Sequence, residues 1–313
     1  MSLKGFTKLG DSTLTNDLQE NLVSYIDYNL LQMGNFVNVP ISTTGIYGGV
    51  DSRLRLVNDP RYTSGQVWAT FRPNLVWESG VGALTSTNPS YPGVSGVYVN
   101  STLYPPSTTG TYAYHIDHIN GAVRFNTAIA ATSVVEMPYS YKYVSVTRSD
   151  GLGWFKELQE KSERSDGDFV SQSGIYELLP ERRQGLPVIG IELAGRRLSP
   201  YQLGGGQLVE TDFYCHCVAE DAYVRDSLVD AMTYQAKASL RMYDLNEIAD
   251  ADDFPLDYRG VPNSGAKLYP DLCSVYSGRL AHIKEAKLDS VYAVGRLKVG
   301  TVKITTEVIH FGV

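Results

Sequence analysis

Charge is scarce in this chain. Asp, Glu, Lys and Arg make up 19% of it, where soluble domains carry about 25%. The balance is acidic, with a net charge of −7. That argues against a general affinity for duplex DNA, which needs Lys and Arg gathered on one face, and leaves only a local basic ring open. Cysteine is nearly absent. Cys215, Cys217 and Cys273 are an odd, small set, so a disulfide framework is not expected and reduced thiols made in a cytosol are. No apolar run approaches the ~20 residues that span a bilayer. The opening residues, MSLKGFTKLGDSTL, lack the apolar stretch of a signal peptide. The expectation is a protein that stays in the cell that made it or leaves within an assembly. Catalytic signatures are missing too: there is no G-x-S-x-G, H-E-x-x-H, Cys-x-x-Cys or phosphate-loop pattern.

What is there is tyrosine, 22 copies against 9 Phe and 3 Trp. Tyr offers apolar area with a polar tip, which suits β-rich, protein-contacting surfaces. At 313 residues the chain has room for two domains or for one with a large insertion. Residues 12–33 read as a helix, with Leu14, Leu18, Leu22, Ile26 and Leu30 in one stripe, Ser12 or Thr13 at its start and Gly34 at its stop. Asp17, Glu20 and Asp27 fall off that stripe. From 40 to 150 only 13 of 111 positions are charged, and short β-branched runs are broken by Gly and Pro, as in an antiparallel sandwich or barrel. Asn120-Gly121 predicts a two-residue type I′ hairpin turn, and Tyr139, Tyr141 and Tyr143 should share one strand face. After 150 the expectation is a short helix in LGWFKELQEKSER, strands over LPVIGIELAG and QLVETDFYCHCVA, and a helix from about Asp221 with Val224, Leu228, Met232 and Ala236 inward. A loop follows over 244–271, then two terminal strands around a turn near Gly300. The fold class is therefore α+β, built from the chain ends (1–39 and 151–313), with an inserted antiparallel β-rich domain over 40–150.

The candidates for chemistry are weak. Cys215-His216-Cys217 has zinc-compatible atoms, but a strand sends His216 away from the two thiols, and zinc needs four ligands. His115 and His118 stand three apart on a strand arm, hence on opposite faces. Asp250, Asp252 and Asp253 begin like a calcium loop, yet Pro255 and Val261 stand where Gly and Glu are needed. Gly204-Gly205-Gly206 precedes a strand, not the helix a phosphate site needs. No catalytic residue, metal or cofactor is expected. The expected subunit contacts are Arg225, Asp226 and Asp230 on the outer face of the helix and the loop doublet Arg196 and Arg197.

The stretch LPVIGIELAG…QLGGGQLVETDFYCHCVAEDAYVRDSLVDAMTYQ resembles tail-terminator and neck proteins of tailed bacteriophages: strand, Gly-containing turn, strand with an acidic corner, and an RDxLVD-type helix. MGNFVNV after the first helix and HIDHINGAVRFNTAI are similar to segments of contractile-tail virion proteins. The resemblance implies a tail-terminator-like sheet-and-helix unit and a structural ring at the head–tail connector, six copies for a terminator or twelve for a portal-proximal adaptor. It also implies neighbours among neck, portal-adaptor and tail tube or sheath proteins, DNA passing through without sequence-specific contact, no membrane, and a place in the virion after assembly in the bacterial cytoplasm. The alternative is a receptor- or glycan-binding virion protein that uses Trp68, Trp77 and the tyrosines of the β-rich segment. An enzyme would need His115, Asp117 and Glu136 to converge.

Overall fold

A computed structural model describes residues 14–41, 52–78, 94, 96–149, 158–159, 184–201 and 206–311. The fold is mixed α+β with strands predominating. Helix α1 (Leu14–Gln32) leads into β1 (Phe36–Val39). Gly34, at φ +87, closes the helix: its N–H reaches Leu31 O, and the Asn35 N–H reaches Leu30 O. These paired bonds need a left-handed residue, which glycine supplies cheaply.

Two cores follow. The smaller lies among β2 (Arg55–Leu56), β3 (Val67–Ala69), β4 (Val97–Val99), β5 (Thr102–Tyr104), β6 (Tyr114–Asp117), β7 (Ala122–Phe125), β8 (Val135–Glu136) and β9 (Tyr139–Lys142). They form three small antiparallel sheets, ordered β2-β3-β7-β6, β5-β4-β8 and β1-β9. Their inward residues, among them Trp68, Val97, Ile116, Phe125, Met137 and Tyr139, share one buried cluster.

Then β10 (Ser145–Arg148) crosses to the larger core, and the two-residue strands β11 (Leu158–Gln159) and β12 (Gln184–Gly185) pair with each other. The long strands are β13 (Val188–Pro200) and β14 (Gly206–Ala219), followed by α2 (Ala222–Thr233), β15 (Ser239–Tyr243), α3 (Leu245–Ala251) and α4 (Tyr269–Val275). The hairpin β16 (Ser277–Val294) and β17 (Leu297–Phe311) ends the fold. One six-stranded sheet results, in the order β10-β13-β14-β17-β16-β15, antiparallel except for β10 on β13. Alternation along β14 sends Phe213, Cys215 and Cys217 to one face, where Leu18, Leu22 and Ile26 of α1 and Leu228, Val229 and Met232 of α2 cover them. Burying each such Leu contributes about 1.5–3 kcal/mol.

The α1 stripe drifts. Residues four apart overshoot a helical turn by about 40°, so Leu14 and Leu30 are only half-buried and Leu31 replaces Leu30, packing with Val76 and Phe36. The same drift buries polar residues. Gln19 Nε2 donates to Ile191 O on β13 at 2.8 Å. Asn21 clasps Tyr243 on β15, donating to its O and accepting from its N, both at 2.9 Å. In a flat sheet β13 and β15 would lie four spacings apart, about 19 Å. One helix reaches both through short side chains because the sheet curls around it. Asp17, expected off the buried stripe, is buried as well and lies 3.4 Å from the Leu245 N–H.

Several expectations change. The terminal hairpin turns at Gly295 and Arg296, not at Gly300. Gly300 sits inside β17, where an added Cβ would stand 2.5 Å from Val229 Cγ2; this glycine marks a close helix crossing, not a turn. Residues 244–271 are not all loop. Asp244 caps α3 by accepting from the Asn246 and Glu247 N–H groups. The β6–β7 connection runs over His118–Gly121, and of its Asn-Gly pair only Gly121 has positive φ. Asn120 instead holds the Asp117 carboxylate through its N–H and Nδ2. Tyr139 and Tyr141 belong to the smaller core, but Tyr143 lies past β9 and packs on the larger one. The helix expected in LGWFKELQEKSER lies outside the described residues except at Leu158 and Gln159, which are strand.

Candidate functional site

Among the described residues, the six-stranded sheet is only partly fenced at its margins. β10 pairs with β13 over Val188–Ile191 alone. β15 pairs with β16 over Ser277–His282; beyond it Ile283 N donates to Ala238 O, Lys237 N donates to Ile283 O, and Lys237 Nζ donates to Lys284 O. Among the described residues, no strand pairs with the outer edge of β13 from Glu192 to Pro200 or of β16 from Lys284 to Val294. Both stretches carry aliphatic or aromatic side chains in the open: Leu193 and Leu198 on β13, and Leu288, Val291, Tyr292 and Val294 on β16, between 42% and 59% exposed. An extended strand with free N–H and C=O groups and apolar side chains is a template for another strand.

The sheet face away from the helices is a charged ladder. Arg197 lies near Glu210 (3.3 Å) and Asp212 (3.7 Å); Lys303 pairs with Asp212 (2.9 Å); Lys284 pairs with Glu210 and Glu307. Hydrogen bonding by Lys284 leads in holding the Glu210 carboxyl below its ordinary value. At Asp212 burial works against ionisation, but hydrogen bonds from Thr305 and Lys303 outweigh it and lower the pKa. Long side chains thus satisfy each other across this face, and among the described residues the two edge stretches are left without a neighbouring strand.

The residues expected at subunit contacts fall in three settings. Arg197 is committed to the ladder. Arg196 is on the face that carries Phe213: Nε donates to Thr211 Oγ1 at 3.2 Å, and the buried Nη2 has no partner among the described residues. Burial lowers its pKa. On α2, Asp221 caps the helix by accepting from Tyr223 and Val224 N–H, Asp226 and Asp230 are exposed, and Arg225 folds back onto Asp226 at 2.6 Å with its stem over Gly300. The signal for the edges was present in sequence as the unusual length of the apolar-alternating segments, hidden by reading Gly300 as a turn.

The remaining candidates do not converge. Cys215 and Cys217 are buried in the larger core, and burial pushes the Cys215 thiol up to about 12. His216 lies on the opposite face, 2.9 Å from Glu192 and 3.2 Å from Thr301 Oγ1. Asp253 pairs with Lys267 and Tyr276, and Asp252 ends α3 in a left-handed conformation. Trp68 is buried, donating to Gly65 O at 3.0 Å, and offers no stacking surface. Asp117 and Glu136 belong to separate sheets, and Asp117 is neutralised by Arg124 at 2.7 Å. Among the described residues, no group of three or more His, Cys, Asp or Glu is placed to hold a metal ion, and no helix is long and apolar enough to cross a membrane. No protein-family model and no curated protein matches this chain.

Proposed function

We propose that this protein is a structural subunit of a tailed-phage head–tail connector, a tail-terminator-like ring protein that joins the tail to the portal and adaptor complex. In this reading the chain ends build the ring and the β-rich segment is an insertion that faces neighbouring neck or tail proteins. The observation that carries it is the pair of open, apolar edges at opposite margins of one sheet. β13 and β16 run in opposite directions, so rotation about an axis lying roughly along the strands brings the β13 edge of one copy antiparallel to the β16 edge of the next. That is a head-to-tail contact, the kind that closes into rings.

The stagger of the edges fits closure. The middle of the free β13 stretch, Arg196, stands level with Thr306 of β17, and the middle of the free β16 stretch lies beside Thr301 and Val302. That offset of about 15 Å, over four strand spacings of about 19 Å, tilts the strands by roughly 40°, within the 35–45° of closed barrels. An isologous β16–β16 pairing would give a dimer instead. Sedimentation velocity and electron microscopy at tens of micromolar, alone and with a tail partner, should show a discrete ring of six or twelve. Val291→Lys and Leu198→Lys should each abolish it while the monomer keeps its fold. A wild-type protein that stays monomeric under both conditions, or stops at a two-fold dimer, sinks the proposal.

A further inference from the structure

A cavity of about 480 Å³ opens between α1 and the α3–α4 region, with Trp77 and Glu78 closing one side. We infer that this cavity binds a protonated amine or guanidinium carried on an aliphatic stem. The size lies within the range of small-molecule sites, and the walls are mostly apolar and aromatic, as such sites are. Tyr28, Trp77, Phe254 and Tyr269 supply rings, with the Tyr28 and Tyr269 centroids 6.3 Å apart and tilted by 48°.

Charge bookkeeping selects a cation. Glu20 is matched by Arg148 at 2.8 Å, and Lys267 by Asp253. Asp27 and Glu78 share one ammonium, Lys142 Nζ, at 2.5 and 2.6 Å. One carboxylate charge is left over. Glu78 uses both oxygens, Oε1 on Lys142 and Oε2 on the Trp77 N–H. Asp27 uses only Oδ2; its Oδ1 has no hydrogen bond among the described residues, and the residue lines the cavity. Burial, reinforced by the charge of Glu78 and opposed by that of Lys142, raises the Asp27 pKa. An anion would meet that excess head-on. A hard metal ion wants six or more oxygens, and here the walls are rings. A cation seated on Asp27 Oδ1, with its stem along aromatic faces, satisfies both features.

The inference is independent of ring formation. Calorimetric titration of the full chain with agmatine, with the tripeptide acetyl-Gly-Arg-Gly-amide and with neutral N-butylacetamide tests it. The cations should bind at sub-millimolar concentration and the neutral amide at least tenfold more weakly. Agmatine alone binding identifies a free amine as the occupant; the tripeptide binding as well identifies a protein side chain. Asp27→Asn should weaken binding at least tenfold while staying folded, with the melting temperature lowered by no more than about 4 °C. Glu78→Gln, which removes the same excess charge, should weaken it likewise and serves if Asp27→Asn does not fold. Binding of neither cation, equal binding of the neutral amide, or unchanged affinity in a folded variant overturns the inference.

Discussion

Replacing Lys142 by Met is expected to be among the costliest single changes in this protein, and its cost follows from the ion triad. The ammonium, Asp27 and Glu78 have side chains only 11%, 19% and 6% exposed. Both carboxylates touch the same Nζ, so their bonded oxygens stand no more than about 5 Å apart, and without the lysine their repulsion at an effective dielectric of 20 is about 3 kcal/mol. Desolvated charge left unpaired brings the loss to about 3–5 kcal/mol. Asp27→Asn should cost under about 1 kcal/mol, because a one-to-one Glu78–Lys142 pair remains. The pH dependence has a definite sign. The Asp27 carboxyl is already raised by burial, and in Lys142→Met it loses the ammonium that opposed that rise, so the penalty is complete above the raised value and relieved as a proton binds on acidification. Urea unfolding followed by circular dichroism at pH 7 and near pH 4.5 should therefore show a gap between variant and parent that narrows in acid. A loss below about 1 kcal/mol at pH 7, or a loss equal to that of Asp27→Asn, would refute the reasoning.

Gly300→Val should destabilise by about 1–3 kcal/mol, because the new side chain meets Val229 Cγ2 where only hydrogen fits; a denaturation midpoint equal to the parent's would count against the close packing of α2 on β17. His118 is buried, with Nδ1 3.1 Å from Gly260 O and Nε2 without a partner among the described residues, and burial holds its pKa at about 4. The stability owed to its neutral form is complete above the unfolded pKa of about 6.5 and declines as pH falls towards the folded value, by about 3 kcal/mol at most. Urea titrations from pH 7 to pH 4 should show this decline, and His118→Gln should remove that component of the slope.

Where the sequence spoke through periodicity it was readable. The first helix, the two strands now seen as β13 and β14, and the helix start near Asp221 all stand in the structure near their expected positions. What failed had a physical cause each time. Gly300 and the Asn-Gly pair were read by their commonest use, turning the chain, whereas tertiary packing set their roles. Asp17 was read as lying off the buried stripe because nothing local reveals a partner 228 positions away. The cavity was illegible for the same reason: Asp27, Glu78 and Lys142 come from three distant segments, and only their meeting makes one charge too many. The open edges were legible only as strand length, since pairing is not written in either strand alone.

The clasp of Asn21 on Tyr243 has a consequence for how the chain is made. Helix α1 is synthesised first, yet its hydrogen-bonding partner lies 222 residues downstream. At a ribosomal rate of about 5–20 residues per second, the helix waits roughly 10–45 s before that partner exists. An isolated helix of 19 residues is marginal in water. Through that interval Leu18, Leu22 and Ile26 have no sheet to cover them. Because the sheet curls around α1, the last hairpin must close over the helix as it docks. Such long-range closure is slow, and it makes the nascent chain dependent on protection until its final strands emerge.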